Sequence, residues 1–428
     1  MEKIKMSMKN CCIRLIYNPY ILFITGLILI LFTPSLQLWE WGFWNYLDHV
    51  RINTMIANSI AYISITFILW RFQNFAGTNV QIYILPTITI IYALVFTYFL
   101  FTRFGYSRYV LLGSFILHIL WFFITNFLFK KHKIEQFAVL PFGKANLLLN
   151  LKIKHGFKFF TLKKPELTNT YKLKGIIADL NTPELTYEWE KFLAKCTLNH
   201  IPVYHSKQII ESLTGRIQIE HLSENQFGSL LPSPFYMVSK RLLDIIIVIC
   251  SLPIILPIML LTALIIKIES EGSILFIQNR VGQGNKDFKI YKFRSMRTDA
   301  EYQGAKLAQN NDFRITSVGA WIRRTRIDEL PQIWNVLKGD MSLIGPRPEQ
   351  RTFVNQFEQN IPFYIYRHVV KPGMTGWAQV MQGYASNEDD TIIKIQYDFY
   401  YIKHFSFWLD ILIFLKTIRV ICTGFGAK

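Results

Sequence analysis

Four apolar runs fill most of the first third of the chain, and no aqueous fold could hide them all. They fall at roughly 19–35, 55–71, 80–102 and 108–128, close to the ~20 residues a helix needs to cross hydrocarbon. The chain as a whole is 51% hydrophobic and only 18% charged, less charge than a soluble domain carries. A membrane protein with four spans places both of its ends on one side. Lys3, Lys5, Lys9 and Arg14 precede the first run, and Lys130, Lys131 and Lys133 follow the last. Excess lysine and arginine marks the cytoplasmic side, so both ends are expected there. Arg103 and Arg108, in the third loop, run against that rule. The runs are almost free of acidic residues, which favours an anchor over a transport pathway. The N-terminus lacks the small-residue cleavage site of a signal peptide.

The net charge of +18 suits cytoplasmic loops that face anionic headgroups and anionic substrates. The basic residues are scattered and no nucleic-acid-binding motif occurs, so nucleic acid is not an expected partner. Cys11, Cys12, Cys196, Cys250 and Cys422 have neither metal-ligand spacing nor the pattern of a disulfide framework.

Residues 134–232 alternate strand-like runs ("EQFAVLP", "KFFTL", "GIIADL", "IPVYH") with helical ones ("KANLLLNLKI", "PELTYEWEKFLAKCTL"). This alternation predicts a small parallel, Rossmann-like α/β lobe. The turn after its first strand, "PFGKAN", is not the G-x-G-x-x-G of a dinucleotide site. A structural or regulatory lobe is expected. The divisions are then 1–133, 134–232 and 233–428.

A fifth apolar run follows at about 239–268, uncharged from Ile245 to Ile266, and is long enough to span. Pro253 and Pro257 sit near its middle, and each removes a backbone donor and crowds the preceding turn. Lys240, Arg241 and Lys267 flank both ends. The expectation is a broken, re-entrant hairpin that enters and leaves on one face.

Beyond Glu269 the chain turns polar. "FIQNRVGQGNKDFKIYKFRSMR" reads as a hairpin with a basic face that includes Lys292 and Arg294. In "RRTRIDELPQIWNVLKGD" a helix is expected from near Asp328, with Pro331 in its first turn and Gly339 as its stop. Asp328 and Glu329 then lie at a helix N-terminus, where the dipole and the neighbouring arginines should keep both ionised. On this motif alone an N-cap Asp with a first-turn Glu is the favoured reading, because such caps are very common. A carboxylate can also attack phosphorus or hold a divalent cation, and arginine clamps phosphate oxygens. The prolines of "GPRPE" fix the backbone around Arg347.

Taken together, "KRLLD", "QNRVGQGNKDFKIYKFRSM", "RRTRIDELPQIWNVLKGDMSLIGPRP", "KPGMTGWAQV" and "YDFYYIKHFSFWLDILIFLKTI" resemble the bacterial sugar transferase family, the monotopic phosphoglycosyl transferases, in its long form with four leading helices. The resemblance covers nearly half the chain. It implies transfer of a sugar-1-phosphate from a UDP-sugar to polyprenyl phosphate, with release of UMP, at the start of capsule, exopolysaccharide or O-antigen assembly. It implies Asp328 as nucleophile and Mg²⁺ ligand, Glu329 as its dyad partner, and Arg323 and Arg347 as phosphate ligands, joined here by Lys292 and Arg294. It also implies a catalytic face on the cytoplasmic side of the inner membrane and supports the hairpin, with its break at Pro257. Where some members have Ser-Pro, this chain has Leu256-Pro257, so another helix-breaking contact, or Pro253, must help form the bend.

The terminal "FSFWLDILIFLKTIRVICTGF" reads either as an interfacial helix, with Lys416 and Arg419 in a headgroup layer, or as an ordinary packing helix. Two alternative functions are a glycosyltransferase that releases UDP, with "NEDD" at 387–390 holding a metal, and a non-enzymatic assembly scaffold. A homodimer is compatible with the sequence.

Overall fold

In a computed structural model the described residues are 18–41, 48–73, 75, 80–132, 135–150, 157–166, 173–219, 231–297, 314–382 and 388–423. The chain forms two compact units, 1–214 and 215–428. The expected basic cluster of Lys3, Lys5, Lys9 and Arg14 lies outside the described residues, as do Cys11, Cys12 and Lys133.

The first four helices are α1 (Pro19–Trp39), α2 (His49–Phe72), α3 (Gln81–Thr102) and α4 (Arg108–His132). All four contain a stretch long and apolar enough to cross a membrane. Two begin earlier or extend further than hydropathy alone implied. Asp48 caps α2 by accepting from the Arg51 N–H at 2.8 Å, so the helix begins before its apolar run. α1 is capped by Asn18, with Pro19 in the first turn, and runs on to Trp39. Inside the bundle, Asn58 Nδ2 donates to Ser114 Oγ at 3.0 Å and Tyr92 OH donates to Asn58 Oδ1 at 3.1 Å. Tyr92 OH also meets His118 Nδ1 at 3.0 Å. In a bundle where every apolar face finds lipid as readily as protein, such bonds fix which helices pair and in what register.

The lobe is a four-stranded, all-parallel sheet of order β2-β1-β3-β4. Its strands are β1 (Glu135–Val139), β2 (Phe157–Thr161), β3 (Gly175–Ala178) and β4 (Val203–His205). Side chains alternate across it. Ala138, Leu140, Ile176 and Ala178 pack on α6 (Tyr187–Leu198) through Trp189, Phe192 and Leu193. Phe137, Val139 and Ile177 pack on α5 (Asn146–Asn150) and α7 (Ser206–Thr214) through Leu148 and Ile210. At the crevice between β1 and β3, the Gly143 N–H donates to Glu184 Oε2 at 3.0 Å and the Lys144 N–H to Asp179 Oδ2 at 2.9 Å. The lobe's own carboxylates thus occupy the amides that a phosphate would seek there.

The second unit is built along α8 (Pro234–Glu269). Here the structure corrects the sequence reading: α8 runs unbroken through Pro253 and Pro257. One stripe of it packs on the polar part of the unit over nearly its full length. Lys240, Asp244, Val248, Thr262 and Ile266 are buried, with Leu252, Ile255 and Met259 partly buried between them. Each proline costs about 3 kcal/mol in a helix interior. Burying each large apolar side chain of the stripe returns about 1.5–3 kcal/mol. Both prolines are exposed, as are Ile246, Ile254, Leu256 and Leu260.

Both ends of α8 are tied to the polar part. Lys240 Nζ and Tyr236 OH each bond Asp410 Oδ2 at 2.6 Å, and Tyr401 OH donates to Asp410 Oδ1 at 2.9 Å. Arg241 donates to the Val336 and Leu337 carbonyls. At the other end, Glu269 Oε1 accepts from the Val318 N–H at 2.9 Å.

The expected hairpin is present as β5 (Leu275–Val281) antiparallel to β6 (Asp287–Phe293). Gly284 and Asn285 take the left-handed backbone its turn requires. The rest comprises α9 (Ser317–Arg324), α10 (Ile333–Lys338), β7 (Ser342–Ile344), α11 (Arg351–Asn360), β8 (Gly373–Thr375), α12 (Trp377–Met381), α13 (Glu388–Lys403) and α14 (Phe407–Thr423).

α14 is chiefly a packing helix, with Leu409, Leu412, Ile413 and Leu415 buried. Its Lys416 turns inward. It is buried, 4.8 Å from the centre of the Trp377 ring, and burial together with Arg419 pushes its amine down to about 8. Arg419, Phe414 and Ile418 are exposed.

Candidate active site

α9 begins at Thr316, whose Oγ1 accepts from the Gly319 N–H at 2.9 Å, and ends at Thr325. Arg326 then turns the chain with φ 60°. The dyad follows in a 3₁₀ turn, Ile327–Gln332, and the α-helix starts only at Ile333. The sequence placed both in one helix ending at Gly339, and that end is correct: Gly339 closes α10 with φ 97°. Adjacent residues lie about 120° apart in a 3₁₀ turn, little more than the ~100° of an α-helix, so Asp328 and Glu329 face different surroundings.

Glu329 points inward and is buried. Its Oε1 lies 2.9 Å from Arg347 Nη2, 3.2 Å from Lys292 Nζ and 4.0 Å from Arg326 Nη1. Burial alone would raise its pKa, but Arg347, Lys292 and Arg326 outweigh it and hold the carboxyl well below its ordinary range. Lys292 is lowered by burial, against the pull of Glu329.

Asp328 behaves differently from the expectation that both carboxylates stay firmly ionised. Burial, and then the charge of Glu329, push it up to about 6, against Lys292, Arg347 and Arg326. The cations are committed to its neighbour. Asp328 Oδ1 and Arg323 Nη1 are both buried with no hydrogen-bond partner among the described residues. Orphaned buried polar atoms are rare and mark a place for something bound.

Arg347 is aimed by main-chain contacts around it. The prolines of "GPRPE" contribute, and the structure adds what sequence reasoning missed. Arg367, fully buried with Asp398, donates to the Arg347 carbonyl at 2.9 Å, to Asp398 Oδ2 at 2.9 Å and to Tyr364 OH at 2.8 Å. Arg280 donates to the Pro348 carbonyl at 3.2 Å. Glu349 pairs with Lys394 and lies 3.7 Å from Arg280. Burial opposes ionisation of Glu349, yet Lys394 and Arg367 bring it down to about 2.

Gly345 sits against β8, with its N–H bonded to the Thr375 carbonyl at 2.8 Å, while the Gly373 N–H donates to Pro346 at 2.9 Å. A Cβ at Gly373 would lie 2.0 Å from Gly345 N. Gly373→Ala is therefore expected to abolish folding of this unit, read as loss of monodisperse protein after detergent extraction. "KPGMTGW" carried that signal in its closely spaced glycines.

Arg294 is not part of this cluster. Its Nη1 donates to the Glu271 carbonyl at 2.6 Å, and its Nη2 to Ser270 O and Oγ at 2.9 and 2.8 Å. Its guanidinium closes the C-terminal end of α8 instead of facing a substrate. Pro253 and Pro257, expected to break the helix, lie on its exposed face. Of the run at 387–390, Asn387 lies outside the described residues and the three acids form the first turn of α13.

A family model described as bacterial sugar transferase matches residues 235–424. An Aeromonas hydrophila UDP-N-acetylgalactosamine-undecaprenyl-phosphate N-acetylgalactosaminephosphotransferase is 50% identical over 415 residues, covering 97% of each chain. This chain belongs to the bacterial sugar transferase family. A Klebsiella pneumoniae UDP-glucose:undecaprenyl-phosphate glucose-1-phosphate transferase is 40% identical to this sugar transferase over 52% of the chain and 48% of its own length. An exopolysaccharide production protein of Rhizobium leguminosarum bv. phaseoli is 42% identical over 42% of this chain and 94% of its own length. The sugar transferase is thus an enzyme with several helices fit for a membrane.

Proposed function

We propose that this sugar transferase moves a sugar-1-phosphate from a UDP-sugar to undecaprenyl phosphate and releases UMP. The observation that carries the reading is the split dyad: Glu329 neutralised by Arg347 and Lys292, and Asp328 Oδ1 buried and unpartnered beside it. The Aeromonas relative's name favours UDP-N-acetylgalactosamine as donor, and the Rhizobium name favours a role in surface polysaccharide assembly.

In the first step, Asp328 Oδ1 attacks the phosphorus bearing the sugar. The bond to the UMP oxygen breaks, and an aspartyl phospho-sugar forms. Arg347 and the free Nη1 of Arg323 face charge that grows on the phosphate oxygens. In the second step, an oxygen of the lipid phosphate attacks the same phosphorus, frees Asp328 and completes the lipid diphosphate. Glu329 keeps Arg347 and Lys292 in place throughout.

One carboxylate oxygen plus substrate phosphates is a donor set that suits Mg²⁺, and Asp328 would be the residue to hold it. When bound, the ion offsets diphosphate charge.

The attacking group must be ionised. UMP formation is expected to fall as pH drops through about 6, the value to which Asp328 is raised. A pH–rate profile with an acidic limb near 4 would contradict this assignment.

The packing of α8 supports a one-sided attachment. Its buried stripe runs from Lys240 to Ile266, about 39 Å at 1.5 Å per residue, which exceeds the ~30 Å of hydrocarbon. A spanning α8 would drag the dyad into the bilayer. A helix entering one leaflet, with the dyad at the cytoplasmic headgroups, avoids that cost. Exposed Trp321 and Trp334 adjoin Ile322 and Ile333, which pack on α8, and suit that interface.

The deciding assay uses purified enzyme with Mg²⁺, undecaprenyl phosphate and a panel of UDP-sugars. UMP release with one or two donors supports the proposal. Release of UDP would mean transfer of the sugar alone, and no nucleotide release with any donor would favour a scaffold.

A further inference from the structure

We propose that Met259, near the middle of α8, is a positioning residue for the Asp328 nucleophile, an inference that rests on the aspartyl reading above. The dyad turn is anchored on both sides by isoleucines. Ile327, immediately before Asp328, packs in a cluster with Ile266, Phe293 and Ile322. Ile333, immediately after the turn, packs in a second cluster with Val248, Ile290 and Met341. Met259 packs against both clusters. One side chain of α8 therefore packs against both of the clusters that the segment's isoleucines join.

The flanks of that segment are fixed to the same helix. The Val318 N–H, at the start of α9, donates to Glu269 Oε1 at 2.9 Å. The Leu337 carbonyl, at the end of α10, accepts from Arg241 Nη2 at 2.7 Å. The chain from Val318 to Leu337 is thus held to α8 at its start and at its end, with Met259 against the two clusters its isoleucines join. An unbranched thioether can fill an irregular gap between two clusters. Attack on phosphorus tolerates little error in placement: about 1 Å can cost on the order of 10²-fold in rate.

The first step uses only the soluble donor, so it can be read without lipid substrate. The full-length enzyme is placed in nanodiscs without undecaprenyl phosphate. Exchange of labelled UMP into the UDP-sugar selected by the donor panel is then followed. Met259→Ala is expected to lower the exchange kcat about tenfold, with KM for the UDP-sugar within about twofold of wild type. Met259→Leu, which conserves volume, is expected to restore most of the rate. Leu260→Ala, one residue along on the exposed face, is expected to exchange like wild type.

Wild-type exchange by Met259→Ala would overturn the proposal. So would a loss that falls wholly on KM, or one that matches a loss of folded protein by thermal midpoint and is not rescued by Met259→Leu. A wild-type enzyme that releases UMP to lipid yet shows no exchange would overturn the aspartyl intermediate, and with it this role for Met259.

Discussion

Asp328→Asn is expected to leave a folded protein that no longer makes UMP, with a loss of about 10³-fold or more. The amide has the shape of the carboxylate but cannot form the acyl phosphate. Stability should move the other way. Folding raises the pKa of this carboxyl from its ordinary value to about 6. Stability is therefore lost as pH rises from the unfolded pKa through the folded one, and at neutral pH the charge works against the fold. Removing it should leave the thermal midpoint unchanged or slightly higher. A variant that is inactive because it has unfolded would appear as a lowered midpoint, and one that keeps normal UMP release would remove Asp328 from the chemistry altogether. Gain of stability with loss of turnover is the usual mark of a site arranged for reaction rather than for packing.

The second large effect is expected at Arg347. Arg347→Ala should reduce kcat/KM by about 10²–10³-fold, the scale seen when a group that offsets transition-state charge is removed. It should also shift the acidic limb of the rate profile above pH 6. Arg347 is one of the cations that lower the Asp328 pKa, so its loss lets that carboxyl hold its proton to higher pH. Glu329 would keep Lys292 at 3.2 Å and the more distant Arg326, and would titrate higher as well. Arg347→Lys keeps the charge but not the planar fork, and should fall between the two. An acidic limb that stays in place in Arg347→Ala would separate Arg347 from the dyad.

The sequence made the four apolar helices, the parallel lobe, the β5–β6 hairpin and the adjacency of Asp328 and Glu329 to arginines legible, because each carries a local signal. Hydrophobic length, strand alternation, paired glycines and adjacent acids can all be read within a short window. What escaped was tertiary in origin. Arg294 and Lys292 lie on one basic strand end, yet one closes the end of α8 and the other pairs with Glu329. Nothing in their spacing separates those fates. The unbroken α8 escaped because its continuity depends on partners distant in sequence, Ile290, Ile333 and Met341. The different states of Asp328 and Glu329 follow from burial and from cations distant in sequence, Lys292 and Arg347, that pair with Glu329.

The way Arg347 is held has a consequence for how such enzymes diversify. Its loop is gripped through the main chain: Arg367 on one carbonyl, Arg280 on the next, and glycines against glycines. Backbone contacts do not record which side chains surround them. Neighbouring side chains can therefore change while the Arg347 backbone keeps its place. A side chain beside this loop can be exchanged for another without releasing the Arg347 backbone from the groups that hold it.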